Sequence, residues 1–218
     1  MSKAFRRFTV QGKPFLSLGG QTHNSSSYLL KDLDEAFTTI KLLSGNTIAT
    51  PIPWDAFEPV EGQFNDKLVT DMIDRAREEG IHLVFLWFAT WKNATMEYVP
   101  GWVKLDQERF PRVTCKDGYT IANLSPHCPA NLDADAKAFC HLLQLLKDYD
   151  EGTDTVIAVQ VENEPGYVGG TRRDFSPWGE AAWQQDVPEE VMEYARTQEG
   201  TRLNRYWKRF GCKEGGKW

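Results

Sequence analysis

Thr155-Val156-Ile157-Ala158-Val159-Gln160-Val161-Glu162-Asn163-Glu164-Pro165-Gly166 is the stretch on which the fold turns. Its first seven residues are β-branched or apolar on nearly every position, as in a strand buried on both faces of a parallel sheet. Pro165-Gly166 turns the chain out of that strand. Between strand and turn stand two carboxylates flanking an amide. Side chains alternate along a strand, so Glu162 and Glu164 are expected to share one face. A carboxyl at the C-terminal end of a barrel strand lies at a pocket mouth, partly desolvated. Desolvation disfavours its charged form and keeps it protonated, as a general acid requires. Asn163 offers a hydrogen bond to a sugar hydroxyl beside the scissile bond. The plain alternative is a solvated polar strand end.

Upstream, three more short apolar runs alternate with helical patterns. Residues 15–20 read as a strand entering a polar loop, and Leu33, Ala36, Phe37, Ile40 and Leu43 recur at helical spacing. Residues 47–52 are a second β-branched run, whose end is marked by Pro51 and Pro53. Val69, Met72, Ile73 and Ala76 share one face of a second helix that stops at Gly80. Residues 81–88 are apolar on both faces. Residues 90–132 are expected to be irregular, and Ala138, Phe139, Leu142, Leu143 and Leu146 mark a third helix. Farther on, Pro188 suits a helix's first turn, with apolar faces at Val191, Tyr194 and Ala195 and at Leu203, Tyr206, Trp207 and Phe210.

The order β-α-β-α-β-α-β-α predicts an α/β protein of the (β/α)8 TIM-barrel type. Eight units of about 30 residues make such a barrel, so only about the first four βα units are present. The 90–132 stretch falls in a βα loop, at the face where barrel enzymes do their chemistry. A doubly wound open sheet is the rival, but no G-x-G-x-x-G turn follows the first strand.

Two further strand ends carry residues fit for ligand contact. Trp54-Asp55-Ala56-Phe57-Glu58-Pro59-Val60-Glu61-Gly62-Gln63-Phe64 follows the second strand. Trp54 can floor a sugar subsite by stacking, and Asp55 and Glu58 can bind hydroxyls or cap local backbone. After the third strand, Trp91 and Asn93 pair a stacking ring with an amide. Each segment reads equally well as loop packing. Trp54, Trp91, Asn163 and Glu164 all fall at or just after strand ends and are expected to converge on one concavity.

Composition narrows the partners. A formal net charge of −6 argues against nucleic acid and anionic membrane, while 8 Trp suit either a sugar binder or a Trp-filled core. No apolar run is long enough to span a bilayer. The basic start is followed by no apolar run, so no signal peptide is read and a cytoplasmic protein is expected, unless the start is not the natural one. Cys115, Cys128, Cys140 and Cys212 form no C-x-x-C pair. Unpaired thiols are favoured over a partial metal site at Cys115, His127 and Cys128.

Gln160-Val161-Glu162-Asn163-Glu164 with Gly166 resembles the acid/base motif of glycoside hydrolase family 35 β-galactosidases, where Tyr usually stands in place of Pro165. Its Asn-Glu-Pro portion is similar to the motif of other clan A retaining glycosidases. Residues 54–64 resemble the Trp-x-x-x-Glu-Pro-x-x-Gly-x-Phe segment after strand two in families 35 and 42. Trp102-Val103-Lys104, Asp106 and Arg109-Phe110-Pro111-Arg112-Val113 look like a stretch of β-galactosidase-like proteins related to both.

That resemblance implies that Glu164 is the acid/base carboxylate and that Asn163 contacts the sugar's 2-hydroxyl. Trp54, Glu58, Trp91, Asn93 and Glu162 are the accompanying candidates for substrate contact. It also implies a nucleophilic Glu at the end of strand seven, which has no counterpart here. Glu180, Glu189, Glu190, Glu193, Glu199 and Glu214 all lie in loop or helical context. The expectation is therefore a single, incomplete domain over residues 1–218, the N-terminal half of a retaining β-galactosidase-like barrel acting on terminal β-linked sugars. It would need no cofactor and no metal, and open barrel edges would favour self-association. A truncated, non-catalytic remnant that binds carbohydrate weakly is the rival, and an unrelated α/β binding protein a distant third.

Overall fold

The computed structural model describes residues 7–167 and 170–218. In chain order they form the hairpin β1 (Thr9–Val10) and β2 (Lys13–Pro14), then β3 (Gly19–Gln21), α1 (Asp34–Leu42), β4 (Thr47–Pro53), α2 (Trp54–Phe57), α3 (Asp66–Glu79) and β5 (His82–Phe88). There follow α4 (Gly101–Leu105), β6 (Arg112–Thr114), β7 (Thr120–Leu124), α5 (Pro129–Asp150), β8 (Val156–Val161), α6 (Pro177–Trp183), α7 (Glu189–Thr197) and α8 (Arg202–Arg209).

One parallel sheet organises the molecule, with strand order β3-β4-β5-β8. Sequential strands lie side by side, as a βα progression requires. The central strand β5 explains its own composition. Leu83, Phe85 and Trp87 enter the main core with Ile48, Ile52, Met72, Ile73, Ala138 and Leu142, where α1, α3 and α5 cover the sheet. Leu86 and Phe88 point to the other face, packing with Tyr98, Ala49 and Val84.

Both prolines lie inside β4, pairing Pro51 with Leu86 and Pro53 with Phe88. Thr22 N–H donates to Ala49 O (2.9 Å), so the peptide groups of Ala49 face β3, and those of residues 51 and 53 point the same way. β3 ends at Gln21, opposite Ala49, so the donors that the prolines lack have no acceptor waiting. Helix α3 is closed at both ends: the Asn65 side chain accepts from Leu68 N–H, and Gly80 takes a left-handed φ of 66°.

Four expectations change. The first strand is shorter and later than residues 15–20. Asn46 accepts from Leu18 N–H (2.8 Å) and donates to Leu16 O (3.0 Å), so a side chain occupies backbone groups that a ladder would need. Residues 90–132 are not irregular throughout, because α4, the β6–β7 hairpin and the start of α5 fall there. Pro188 caps α7 from outside rather than opening its first turn, and α7 packs against α8. Strand β8, expected to be buried on both faces, has no fully buried residue: Val156, Ile157 and Val159 are half-buried and Val161 is 62 % exposed. No helix of the described residues is long and apolar enough to cross a membrane.

Candidate active site

The carboxyl edge of the sheet gathers the ends of β5 and β8. β8 stops at Val161, and Glu162 (φ 60°) and Glu164 (φ 51°) then both take left-handed backbone around Asn163. Two such residues break the alternation of a strand, so the two glutamates part company instead of sharing a face. Glu162 turns toward α5. Its Oε2 accepts from Trp91 N–H (2.7 Å), and its carboxyl lies beside Asp135 in a cleft of about 300 Å³ lined by Trp87, Trp91 and Phe139. Burial, then the neighbouring Asp135 charge, push the Glu162 carboxyl from 4.5 up to about 10. Asp135 itself takes hydrogen bonds from Trp87 Nε1 (2.9 Å), Thr90 N–H (3.1 Å) and the Thr90 hydroxyl. Of the pair, Glu162 is therefore the one that burial holds in its protonated form.

Asn163 is locked to the end of β5. Its N–H donates to Trp91 O (3.1 Å), and its Oδ1 accepts from Lys92 Nζ (2.8 Å) and from Asn93 N–H (3.4 Å). Lys92 is buried, donates also to Asn93 Oδ1 (2.8 Å), and lies 4.5 Å over the Phe88 ring. With its oxygen engaged, Asn163 keeps its amide NH2 for a ligand. Glu164 follows at once and is exposed. Trp91, tied through its backbone to Glu162 and Asn163, holds its ring 6.0 Å from that of Tyr167.

Trp54 and Glu58 do not join them. Trp54 is wholly buried, edge-on to Trp102 at 5.9 Å, and donates from Nε1 to Glu58 Oε2 (2.8 Å). Glu58 is 1 % exposed, and its Oε1 accepts from Gly62 N–H (2.7 Å). The expected subsite floor is instead the buckle that holds the loop after β4, because an enclosed indole has no face to offer a sugar. Glu58→Ala would strand the buried Trp54 Nε1–H and release the Gly62 N–H, and is expected to lower stability by about 1–3 kcal/mol in denaturant unfolding. A loss under about 0.5 kcal/mol, the scale of a neutral surface change, would show the buckle to be incidental.

Neighbouring Asp55 does remain at the edge. It accepts from the Tyr28 hydroxyl (2.9 and 3.1 Å), and burial raises its carboxyl above the ordinary range. Sequence reasoning passed over Lys92, Tyr28 and Asp135 because a loop lysine, a loop tyrosine and a helical aspartate carry no pattern. Among the described residues no strand follows β8, and none of the carboxylates after Glu164 ends one. No three His, Cys, Asp or Glu side chains among them gather as metal ligands, and all four cysteines are free thiols.

No family model matches this chain, and no curated protein does. Among solved structures it is similar to an exo-β-1,4-mannosidase from Opitutaceae bacterium strain TAV5, at 18 % identity and a TM-score of 0.55. The match covers 90 % of this chain and 31 % of that one, so the chain spans about a third of the mannosidase's length. At such identity the likeness speaks for the fold. Sheet order, crossovers and structural neighbour together make this an α/β protein of (β/α)8-barrel type in which about four of the βα units are present.

Proposed function

We propose that residues 1–218 are the N-terminal half of a glycoside hydrolase catalytic barrel that cleaves terminal β-linked sugars with retention. The carrying observation is the Asn163-Glu164 pair at the carboxyl edge of β8, with Asn163 clamped by Trp91 and Lys92 and Glu164 exposed immediately after it. In this reading Glu164 gives its proton to the glycosidic oxygen as the bond breaks, then takes one from the water that releases the sugar. Asn163 donates to the sugar's 2-hydroxyl, and Trp91 and Asn93 line the subsite. The nucleophile is a carboxylate from the far side of the barrel, about 5–5.5 Å from Glu164. No cofactor or metal takes part. The sequence motifs favour a β-galactoside, and the structural neighbour's name makes a β-mannoside the alternative to test.

Glu164→Gln, made in a protein that includes the rest of the barrel, tests this reading. Loss of about 10²–10⁴-fold is expected on substrates with poor leaving groups, and much less on activated aryl glycosides, whose leaving groups need little protonation. Equal losses on both would remove Glu164 from the acid's role. The second reading, a sugar-binding remnant, is favoured by the lack of an opposing strand-end carboxylate among the described residues. Saturable sugar binding with no turnover in the longer protein would select it.

A further inference from the structure

Two clefts, of about 670 and 470 Å³, lie beside the candidate site and share Tyr167, Arg172 and Arg173. Lys116 and Phe175 are among the residues that line the first, and Trp183 and Trp218 are among those that wall the second. The Arg173 guanidinium is sandwiched, 4.0 Å over the Phe175 ring and 4.7 Å over that of Trp183. Its Nη2 donates to Glu180 (2.8 Å), while its Nη1 is enclosed and finds no acceptor among the described residues. Arg172 and Lys116 are exposed, and neither is in an ion pair among those residues. Among the described residues, the one side-chain carboxylate in the walls, Asp174, is buried and already accepts from Thr114 N–H (3.0 Å), Ser125 Oγ (2.6 Å) and Ser176 Oγ (2.8 Å).

Within a chain of net charge −6, unpaired cations and aromatic rings thus meet at one place. Tyr167 joins that place to the candidate site, since its ring lies 6.0 Å from that of Trp91. Guanidinium groups bind carboxylate and sulfate oxygens with paired N–H donors, and indole and phenol faces stack on pyranose rings. We infer that these clefts form a second subsite for a negatively charged sugar, a uronate or a sulfated sugar, adjoining the unit that is cleaved. This extends the glycosidase reading given above and rests on it for the choice of sugar over other anions.

Ligand-observed NMR on the 218-residue chain tests the subsite without catalysis. The probes are methyl β-galactoside, methyl galacturonide, galactose 6-sulfate and inorganic sulfate. Saturable, salt-sensitive binding is expected for the two charged sugars and none for the neutral one. The stronger of the two identifies the source of the charge. Arg172→Ala and Lys116→Ala, both at exposed positions, should each weaken that binding about tenfold with unchanged circular dichroism. Equal binding of neutral and charged sugars, displacement by inorganic sulfate at equal strength, no binding, or indifference to both variants would each overturn the inference. Its failure is separable from that of the glycosidase reading. Charged sugars that bind a protein whose longer form hydrolyses nothing leave the subsite standing alone. Turnover that depends on Glu164, with no preference for charged sugars, leaves the enzyme without the subsite.

Discussion

The 218-residue chain by itself is expected to hydrolyse no aryl β-galactoside or β-mannoside and to associate in solution. Retention needs a second carboxyl about 5–5.5 Å across the scissile bond. The carboxylates that follow Glu164 are placed otherwise: Glu180 lies in α6 paired with Arg173, and Glu189, Glu190 and Glu193 lie on α7. Association follows from the sheet's two margins. β3 lies against a cleft of about 370 Å³ lined by Gly19, Gly20, Ala36, Ile40 and Leu43, and β8 leaves Val161 uncovered. Unpaired strand edges flanked by apolar surface recruit other chains. Light scattering should give a mass above that of the 24.9 kDa monomer, and the assay a rate equal to the uncatalysed one. A monomer turning over at an ordinary ~1–10³ per second would mean that a carboxylate of this sheet edge serves as nucleophile.

Glu162→Gln is expected to free the protein from a loss of stability in alkali. The folded Glu162 carboxyl is pushed up to about 10 by burial and by Asp135, against an ordinary 4.5. Between those values the folded chain holds a proton that the unfolded chain has released. The stabilisation is thus complete below pH 4.5 and drains away as pH rises toward 10. Glutamine fills the same space, donates an N–H to Asp135 and carries no charge at any pH. Melting temperatures of the two proteins should nearly coincide near pH 5. At pH 9 the variant should be ahead by about 2 kcal/mol or more, roughly 4–8 °C for a domain of this size. Parallel profiles from pH 5 to 9 would show that Glu162 is ionised and solvated in the folded protein.

The sheet was legible in the sequence because its signal is redundant. β5 is buried on both faces, so every position from Leu83 to Phe88 had to be apolar, and Gly80 announced the end of α3 by the backbone that only glycine adopts at little cost. Helix α6 was announced too, by Ser176 as its cap and Pro177 in its first turn, and was overlooked. The site was legible only in part. Trp54 could stack on sugar or fill the core, and the partner that decides, Trp102, lies in a distant segment. Alternation placed Glu162 beside Glu164, but the rule holds only while the backbone is extended, and it ceases to be so at residue 162.

The left-handed turns at Glu162 and Glu164 have a consequence for how this edge evolves. An L-residue with a side chain gives up roughly 1 kcal/mol or more at each such position, and glycine gives up almost none. Local conformational selection therefore pulls both positions toward glycine, and only a demand on the carboxylates themselves resists it. Glu162 answers that demand with the bonds it makes inside the fold. On the proposed glycosidase reading, Glu164, exposed just past β8, is the position where a stability–activity trade-off becomes measurable: in a protein that includes the rest of the barrel, glycine there should yield a tougher protein and a poorer catalyst.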